Sequence, residues 1–160
     1  MGNKVELKSH QLWVTEMIQR LILSGRTLID VTYPLGAGHT VIIARVMSDF
    51  KKGRALFVTS RRELAVQFAD RANGLGFDIG LCVAGKDEPD CACVCGTIQT
   101  LIARGVVGVF NLVVVDDDIV GREVMLRKLL KSLSKDAVLV SLHRYGDSSD
   151  SDAVVELYRP

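Results

Sequence analysis

The chain has 160 residues, 48% of them apolar, which is enough for one domain with a substantial core and too apolar for a disordered segment. Its formal net charge is +1, so overall charge argues neither for nor against a nucleic-acid partner. No apolar run reaches the roughly 18 residues that a membrane span needs, and the start, MGNKVELKSH, lacks the apolar core of a signal peptide. We expect a soluble, cytoplasmic protein with no membrane partner.

Helix-like and strand-like segments alternate along the chain. Helices are predicted over residues 10–25, 40–50, 61–76, 98–105 and 122–133. Strands are predicted over 27–33, 54–60, 77–85, 91–97, 111–118 and 136–143, with a polar loop at 86–90 and a last strand at 153–159. This alternation predicts one three-layer α/β domain over 1–160, a parallel sheet with helices on both faces. We expect about 1–8 and 146–153 to be flexible.

Helical spacing also predicts which side chains face the core. The predicted inward residues are Trp13, Met17 and Leu21; Ile42, Val46 and Phe50; Leu64, Phe68, Ala72 and Leu75; and Val124, Leu126, Leu129 and Leu133. The basic residues Arg127, Lys128, Lys131 and Lys135 form another face of the last helix, which lies in solvent or meets an acidic partner.

Three cysteines alternate in the segment DCACVCGT. In an extended strand, Cys91, Cys93 and Cys95 fall on one face, where they fit a buried strand. Zinc sites usually space their cysteines by two to four residues, and no His-rich segment follows. We therefore expect reduced, structural cysteines and no zinc.

The segment YPLGAGHT joins a predicted strand to a predicted helix. Gly36 and Gly38 let backbone N–H groups approach a phosphate, and the helix N-terminus adds positive potential. Thr40 has the hydroxyl that would contact Mg²⁺. His39 occupies the position of the usual lysine, and with an ordinary pKa of about 6.5 it is mostly neutral at pH 7.

A second polar cluster follows the apolar strand in VVVDDDIV. Asp116 stands where P-loop enzymes hold Mg²⁺, and Thr40 and Asp116 are the predicted metal ligands. Asp117 stands where a catalytic Glu commonly polarises water, but its side chain is one methylene shorter. The alternative interpretation of the three aspartates is a solvated turn.

Taken in order, these motifs resemble the first RecA-like domain of superfamily-two helicases of the DEAD/DEAH type, a P-loop NTPase fold. The segments that carry the resemblance are LKSHQ, YPLGAGHT, FVTSRRELAVQFADR, CGTIQTL, VVVDDDIV and LVSLHRYGD. The resemblance implies that Gln11 reads adenine, and that Gly36, Gly38, His39 and Thr40 bind the nucleotide. It implies nucleic-acid contacts, to DNA or RNA, by Ser60, Arg61, Arg62, Thr97 and Gln99. For Arg61 and Arg62 the alternative is a solvated helix start.

The departures from this family pattern fall on catalysis. His39 replaces the Walker A lysine, Asp117 replaces the Glu, and residues 141–143 read Ser-Leu-His instead of Thr-Ala-Thr. The chain contains no counterpart of the second RecA-like domain, whose arginine finger is worth about 10³–10⁵ in rate in related systems. We therefore expect little or no ATP hydrolysis by this chain alone, with Asp116 and Asp117 as impaired catalytic residues.

Three functions remain open. The first is a degenerate helicase-like module that binds and regulates a nucleic acid or a nucleic-acid-processing protein. The second is a switch that binds ATP and Mg²⁺ weakly. The third is an ATPase half-site that a second chain completes by supplying the missing domain.

Overall fold

The computed structural model describes residues 6–33, 38–87, 91–120 and 122–144. The helices are α1 (Ser9–Leu23), α2 (His39–Asp49), α3 (Arg62–Gly74), α4 (Ile98–Ala103), α5 (Asp117–Val120) and α6 (Glu123–Ser132), with a 3₁₀ turn at Val107–Val109. The strands are β1 (Leu28–Tyr33), β2 (Ala55–Thr59), β3 (Gly80–Val83), β4 (Lys86–Asp87), β5 (Cys93–Thr97), β6 (Leu112–Val115) and β7 (Val138–Arg144). None of the described helices has the length and apolar character to cross a membrane.

The strands form one sheet in the order β1-β7-β6-β2-β5-β3-β4. All neighbouring pairs are parallel except β3 and β4, which are antiparallel. The predicted parallel sheet is therefore confirmed for six strands. The prediction of a polar loop at 86–90 is wrong at its start, because Lys86 turns back to pair with Val83 at the sheet edge. The predicted last strand at 153–159 and the segment 146–153 lie outside the described residues, as do residues 1–5.

Helices cover both faces of the sheet, which confirms the three-layer prediction. On one face, α1, α2 and α3 pack on strand residues such as Val114 and Val140. On the other face, α4, α5 and α6 pack on the alternate strand residues, such as Val113 and Leu139. Because successive strand residues point to opposite faces, strands buried on both sides are apolar throughout.

Two of the predicted helix faces differ from the observed ones. In α1 the core-facing residues are Val14, Ile18 and Ile22, whereas Trp13 and Leu21 are only partly buried at its border. The observed face is displaced from the predicted one by a single position, which in a helix is a rotation of about 100°. Met17, the third residue of the predicted face, is likewise only partly buried.

In α6, Leu129 is fully buried and Leu126 and Leu133 are half-buried, but Val124 is 68% exposed. Val124 precedes Leu129 by five positions, or about 140° around the helix, so both cannot face the sheet. The predicted faces of α2 and α3 are confirmed for their central residues, which are buried: Ile42, Val46, Phe68 and Ala72. Phe50, Leu64 and Leu75, at the ends of those faces, are partly buried.

The cysteines are divided between the two cores. Cys93 and Cys95 in β5 are buried on the α1–α3 side, whereas Cys91 precedes the strand and packs against the opposite core. The prediction that all three share one face is wrong for Cys91, because regular alternation begins only at Cys93. None of the four cysteines, all in described segments, forms a disulfide. Within the described ranges, no group of three or more His, Cys, Asp or Glu side chains could hold a metal ion.

Candidate nucleotide and nucleic-acid site

The predicted functional segments gather at one end of the sheet, where the parallel strands β2, β5 and β6 finish. Residues 60–62 follow β2, residues 97–99 begin at the end of β5, and residues 116–118 follow β6. Since β2 pairs with β5 on one side and with β6 on the other, these three segments are neighbours. The backbone N–H of Asp116 donates to the carbonyl of Val58 at 3.0 Å, which extends this pairing to the first aspartate.

The glycine-rich segment meets the start of α1. Gly38 has φ +74°, in the left-handed region that favours glycine, and directly precedes α2. A Cβ at this position would overlap Nε2 of Gln11. Gln11 is buried, and its Oε1 accepts a hydrogen bond of 3.0 Å from the backbone N–H of Lys8. Gln11 and Gly38, predicted to serve one nucleotide, are therefore in close contact; Gly36 lies outside the described residues.

The start of α2 faces a cavity of about 370 Å³. Its lining includes His39, Thr40, Arg61, Leu64, Gln67, Arg71, Asp116, Asp117 and Asp118. Thr40 and Asp116, predicted to hold Mg²⁺, and Asp117, predicted as an impaired catalytic residue, thus share a cavity. Arg61, which was assigned to nucleic acid, lines the same cavity. The side chains of Arg61 and Arg71 are the guanidinium groups in this lining, and Arg71 was not predicted.

Asp116 has an unusual environment for a carboxyl group. It is 7% exposed, and its Oδ1 accepts a hydrogen bond of 2.9 Å from the backbone N–H of Asp117. Burial, followed by the nearby carboxyl groups of Asp117 and Asp118, raises the pKa of Asp116 to about 8. Burial also raises the pKa of the Cys95 thiol, with a smaller contribution from Asp116.

These residues fit a magnesium nucleotide in part. The Thr40 hydroxyl and the Asp116 carboxyl are the groups that would hold Mg²⁺, which would supply charge neutralisation of the phosphates. Gln11 and the N–H groups at the start of α2 would contact the nucleotide. His39 does not provide the permanent cation of the usual lysine.

Asp118 makes contacts that the sequence analysis did not predict. Its Oδ2 accepts two hydrogen bonds from Ser60, one from the backbone N–H at 3.0 Å and one from Oγ at 2.6 Å. Its Oδ1 is buried and has no hydrogen-bond partner among the described residues. Ser60, assigned to nucleic acid, is thus joined to the aspartate cluster. The sequence shows a third Asp after one strand and a Ser after another. Only the order of the strands in the sheet shows that these two residues are neighbours.

The remaining predicted nucleic-acid residues differ in exposure. Arg61, Arg62 and Gln99 are exposed, whereas Thr97 is only 6% exposed. The Arg61 N–H donates to Thr59 Oγ1 at 3.2 Å, and Thr59 Oγ1 donates to the Arg61 carbonyl at 2.9 Å. This local turn directs the two arginines to the surface as α3 begins.

Residues 141–143, which stand in place of the Thr-Ala-Thr of the family pattern, contact the first strand, β1. His143 Nε2 lies 3.1 Å from Asp30 Oδ1, across the pairing of β7 with β1. Ser141 is 7% exposed and lies opposite Asp30 in the strand register.

Comparison with solved structures identifies the class of this fold. The chain superimposes on the UvsW helicase from bacteriophage T4 with a TM-score of 0.67 and 18% identity, covering 99% of this chain and 60% of that one. A DEAD box protein from Methanococcus jannaschii gives 0.63 and 18%, covering 96% and 52%. Dbp5 from S. cerevisiae, solved with RNA and ADP BeF3, gives 0.60 and 19%, covering 94% and 46%. The chain has the fold of a RecA-like helicase domain.

The structural similarity covers nearly all of this chain but only part of each of the three proteins. This chain spans between 46% and 60% of the length of those three proteins. No protein-family model matches the chain, and no curated protein sequence does.

Proposed function

We propose that this chain is a helicase-like binding module that regulates a nucleic acid or a nucleic-acid-processing protein, with little or no ATP hydrolysis of its own. The observation that carries the proposal is the juxtaposition of residues 60–62 and 97–99 at the ends of the paired strands β2 and β5. These are the two segments predicted to contact a nucleic-acid strand, and the pairing of Thr59 with Thr97 makes them neighbours at the ends of their strands.

The chemistry of this surface suits a phosphate backbone. Arg61 and Arg62 are exposed cations after β2, and the amide of Gln99 is exposed after the neighbouring strand β5. Arginine and amide side chains are common phosphate contacts, and such contacts position a strand without reading its sequence. Because the net charge of the chain is only +1, we expect modest affinity that decreases as salt increases. The RNA in the solved Dbp5 structure supports the same class of ligand here.

Hydrolysis by the chain alone is expected to be negligible because several groups differ together. His39 lacks the fixed charge of lysine, and the Asp117 carboxyl is one methylene shorter than Glu. An arginine finger supplied by another domain or by another chain would take no part in a reaction of these 160 residues alone.

A binding experiment with a matched control tests this proposal. The anisotropy of a fluorescent single-stranded oligonucleotide, DNA and then RNA, would be titrated with protein at about 50 and about 200 mM salt. We expect Arg61→Ala with Arg62→Ala to weaken binding and to reduce the salt dependence. The control is Arg127→Ala with Lys128→Ala, which removes the same charge from exposed positions on α6. Equal losses in both variants, or no loss in either, would reject residues 60–62 as the contact.

A second candidate function is a weak nucleotide switch, or an ATPase half-site completed by another chain. The shared cavity of Thr40 and Asp116 favours it. Calorimetric titration with Mg·ATP, at protein concentrations that detect millimolar affinity, would test this function. Binding that is lost in Asp116→Ala would support it, whereas no binding by the unmodified chain would leave only the binding module.

A further inference from the structure

The contact between Asp118 and Ser60 joins the ends of two neighbouring strands. Ser60 follows β2 directly, and Asp118 is the second residue of α5 after β6. Both donors of Ser60, the backbone N–H and the hydroxyl, converge on one oxygen of Asp118 at 3.0 and 2.6 Å. The shorter of these distances is typical of a hydroxyl that donates to a carboxylate.

The two donors are of the kind that bind phosphate oxygens. Backbone N–H groups and serine hydroxyls are frequent partners of the nucleic-acid backbone. Ser60 immediately precedes the exposed Arg61 and Arg62 in the proposed contact surface. A carboxylate oxygen and a phosphate oxygen would therefore compete for the same two donors.

The other oxygen of Asp118 makes no such contact among the described residues. Oδ1 is buried without a hydrogen-bond partner in the described part of the chain. A buried acceptor without a partner is costly, so the Ser60 bonds offset a cost that Asp118 itself introduces. Replacing Asp118 removes the two bonds and the buried oxygen together, and the fold should tolerate the change.

We infer that Asp118 is an intramolecular competitor of the phosphate backbone: its carboxylate occupies the Ser60 donors and lowers the affinity of residues 60–62 for a single strand. This inference rests on the proposed nucleic-acid binding. Asp118 would set the affinity of the surface without contacting the strand.

The test is a set of variants titrated against the same fluorescent single-stranded 20-mer. We expect Asp118→Ala to bind about tenfold more tightly than the unmodified chain, as two charge-assisted donors become available. Asp117→Ala removes a carboxyl group from the same cavity, but the Ser60 bonds are to Asp118. It should therefore show only the smaller gain that comes from reduced repulsion.

The Ser60→Ala variant removes the hydroxyl donor but keeps the Asp118 carboxyl group. It therefore distinguishes the release of the Ser60 donors from the loss of the Asp118 charge. In the Ser60→Ala background, Asp118→Ala should give a clearly smaller gain, because one of the two released donors is absent; a double-mutant cycle measures this difference. If Asp118→Ala does not fold by circular dichroism, Asp118→Asn serves instead, since it keeps the shape, weakens the acceptor and should give an intermediate gain.

The outcomes separate this inference from the proposed function. If the unmodified chain binds and the Arg61→Ala, Arg62→Ala variant loses binding, but Asp118→Ala gains no more than Asp117→Ala, the inference is wrong and the proposed function stands. If no variant binds at either salt concentration, both are wrong. If only Asp118→Ala binds, the competitor is confirmed and the unmodified chain is an inhibited form.

Discussion

Asp116 is held at the end of β6 in a position that disfavours its charge. Only 7% of the residue is exposed, and two further carboxyl groups follow it in the chain. A carboxyl group in such surroundings keeps its proton to a higher pH, and its pKa is raised to about 8.

In metal-free buffer, this pKa predicts a pH-dependent stability. The pKa of Asp116 is about 8 in the folded chain against 3.8 as the ordinary value, so the folded state binds the extra proton between these limits. The unfolding free energy should therefore decrease as pH rises from 5 to about 8, by at most about 1.4 kcal/mol per pH unit. Urea unfolding of the unmodified chain and of Asp116→Asn would measure it. The Asn variant should show a flatter profile; identical slopes in both proteins would contradict the assigned pKa.

Gly38 provides a second prediction at the scale of a residue. Gly38→Ala should destabilise the chain by about 1–2 kcal/mol for the left-handed backbone alone, and further because the new methyl overlaps Gln11. Gly25→Ala is the matched control, since Gly25 also has a positive φ, of 92°, but no atom within 4 Å of the added Cβ. Thermal unfolding of both variants would isolate the Gln11 contact, and equal losses would mean that this contact is not tight.

At the scale of elements, α6 shows how far periodicity can predict burial. Four apolar residues in this segment were predicted to face inward, yet among them Leu129 is fully buried and Val124 is mostly exposed. A helix contacts a sheet along one stripe, so a residue displaced from the centre of that stripe by more than about a quarter turn remains in solvent. The sequence contains both apolar residues, but the orientation of the helix decides which is buried.

This difference predicts unequal effects of the same kind of truncation. Leu129→Ala should lower the unfolding free energy by about 2–5 kcal/mol, because it leaves a cavity under α6. Val124→Ala should change it by less than about 0.5 kcal/mol, as expected for an exposed position. Urea denaturation measures both values, and a large loss in Val124→Ala would show that a partner or another part of the chain covers that side chain.

At the scale of the whole molecule, the arrangement of strands brings the site together. Residues 60–62, 97–99 and 116–118 are far apart in sequence and adjacent only because β2 lies between β5 and β6. The same arrangement places the start of α2 beside the aspartates in one cavity. We propose that His39 and Asp117, which stand where the usual site has a lysine and a glutamate, would limit hydrolysis at this cavity.

Restoring one of those groups should therefore not restore activity. We expect His39→Lys to release no more phosphate from Mg·ATP than the unmodified chain, because the Asp117 side chain is still one methylene shorter than Glu. A phosphate-release assay would measure this, with Mg·ATP calorimetry on the same variant as the control for binding. Robust turnover by His39→Lys would overturn the proposal that several groups together limit hydrolysis, because a lysine alone would then be sufficient.

Patterns along the chain are enough to predict the class of fold and the end of the sheet at which the candidate site lies. Alternating apolar strands and amphipathic helices require a parallel sheet covered on both faces, and polar residues after such strands gather at their carboxyl ends. The interpretation of Gln11, Thr40 and Asp116 depended on the order of motifs, which is a property of the chain.

Which side chains are in contact depends on how distant segments pack together. The Asp118–Ser60 bonds, the overlap of Gln11 with Gly38 and the pKa of Asp116 depend on strand order, backbone conformation and burial. The same is true of Lys86, which pairs with Val83, and of Cys91, which packs on the other core. Local patterns specify faces and ends of elements, but contacts between distant segments arise from packing, which no short stretch of sequence encodes.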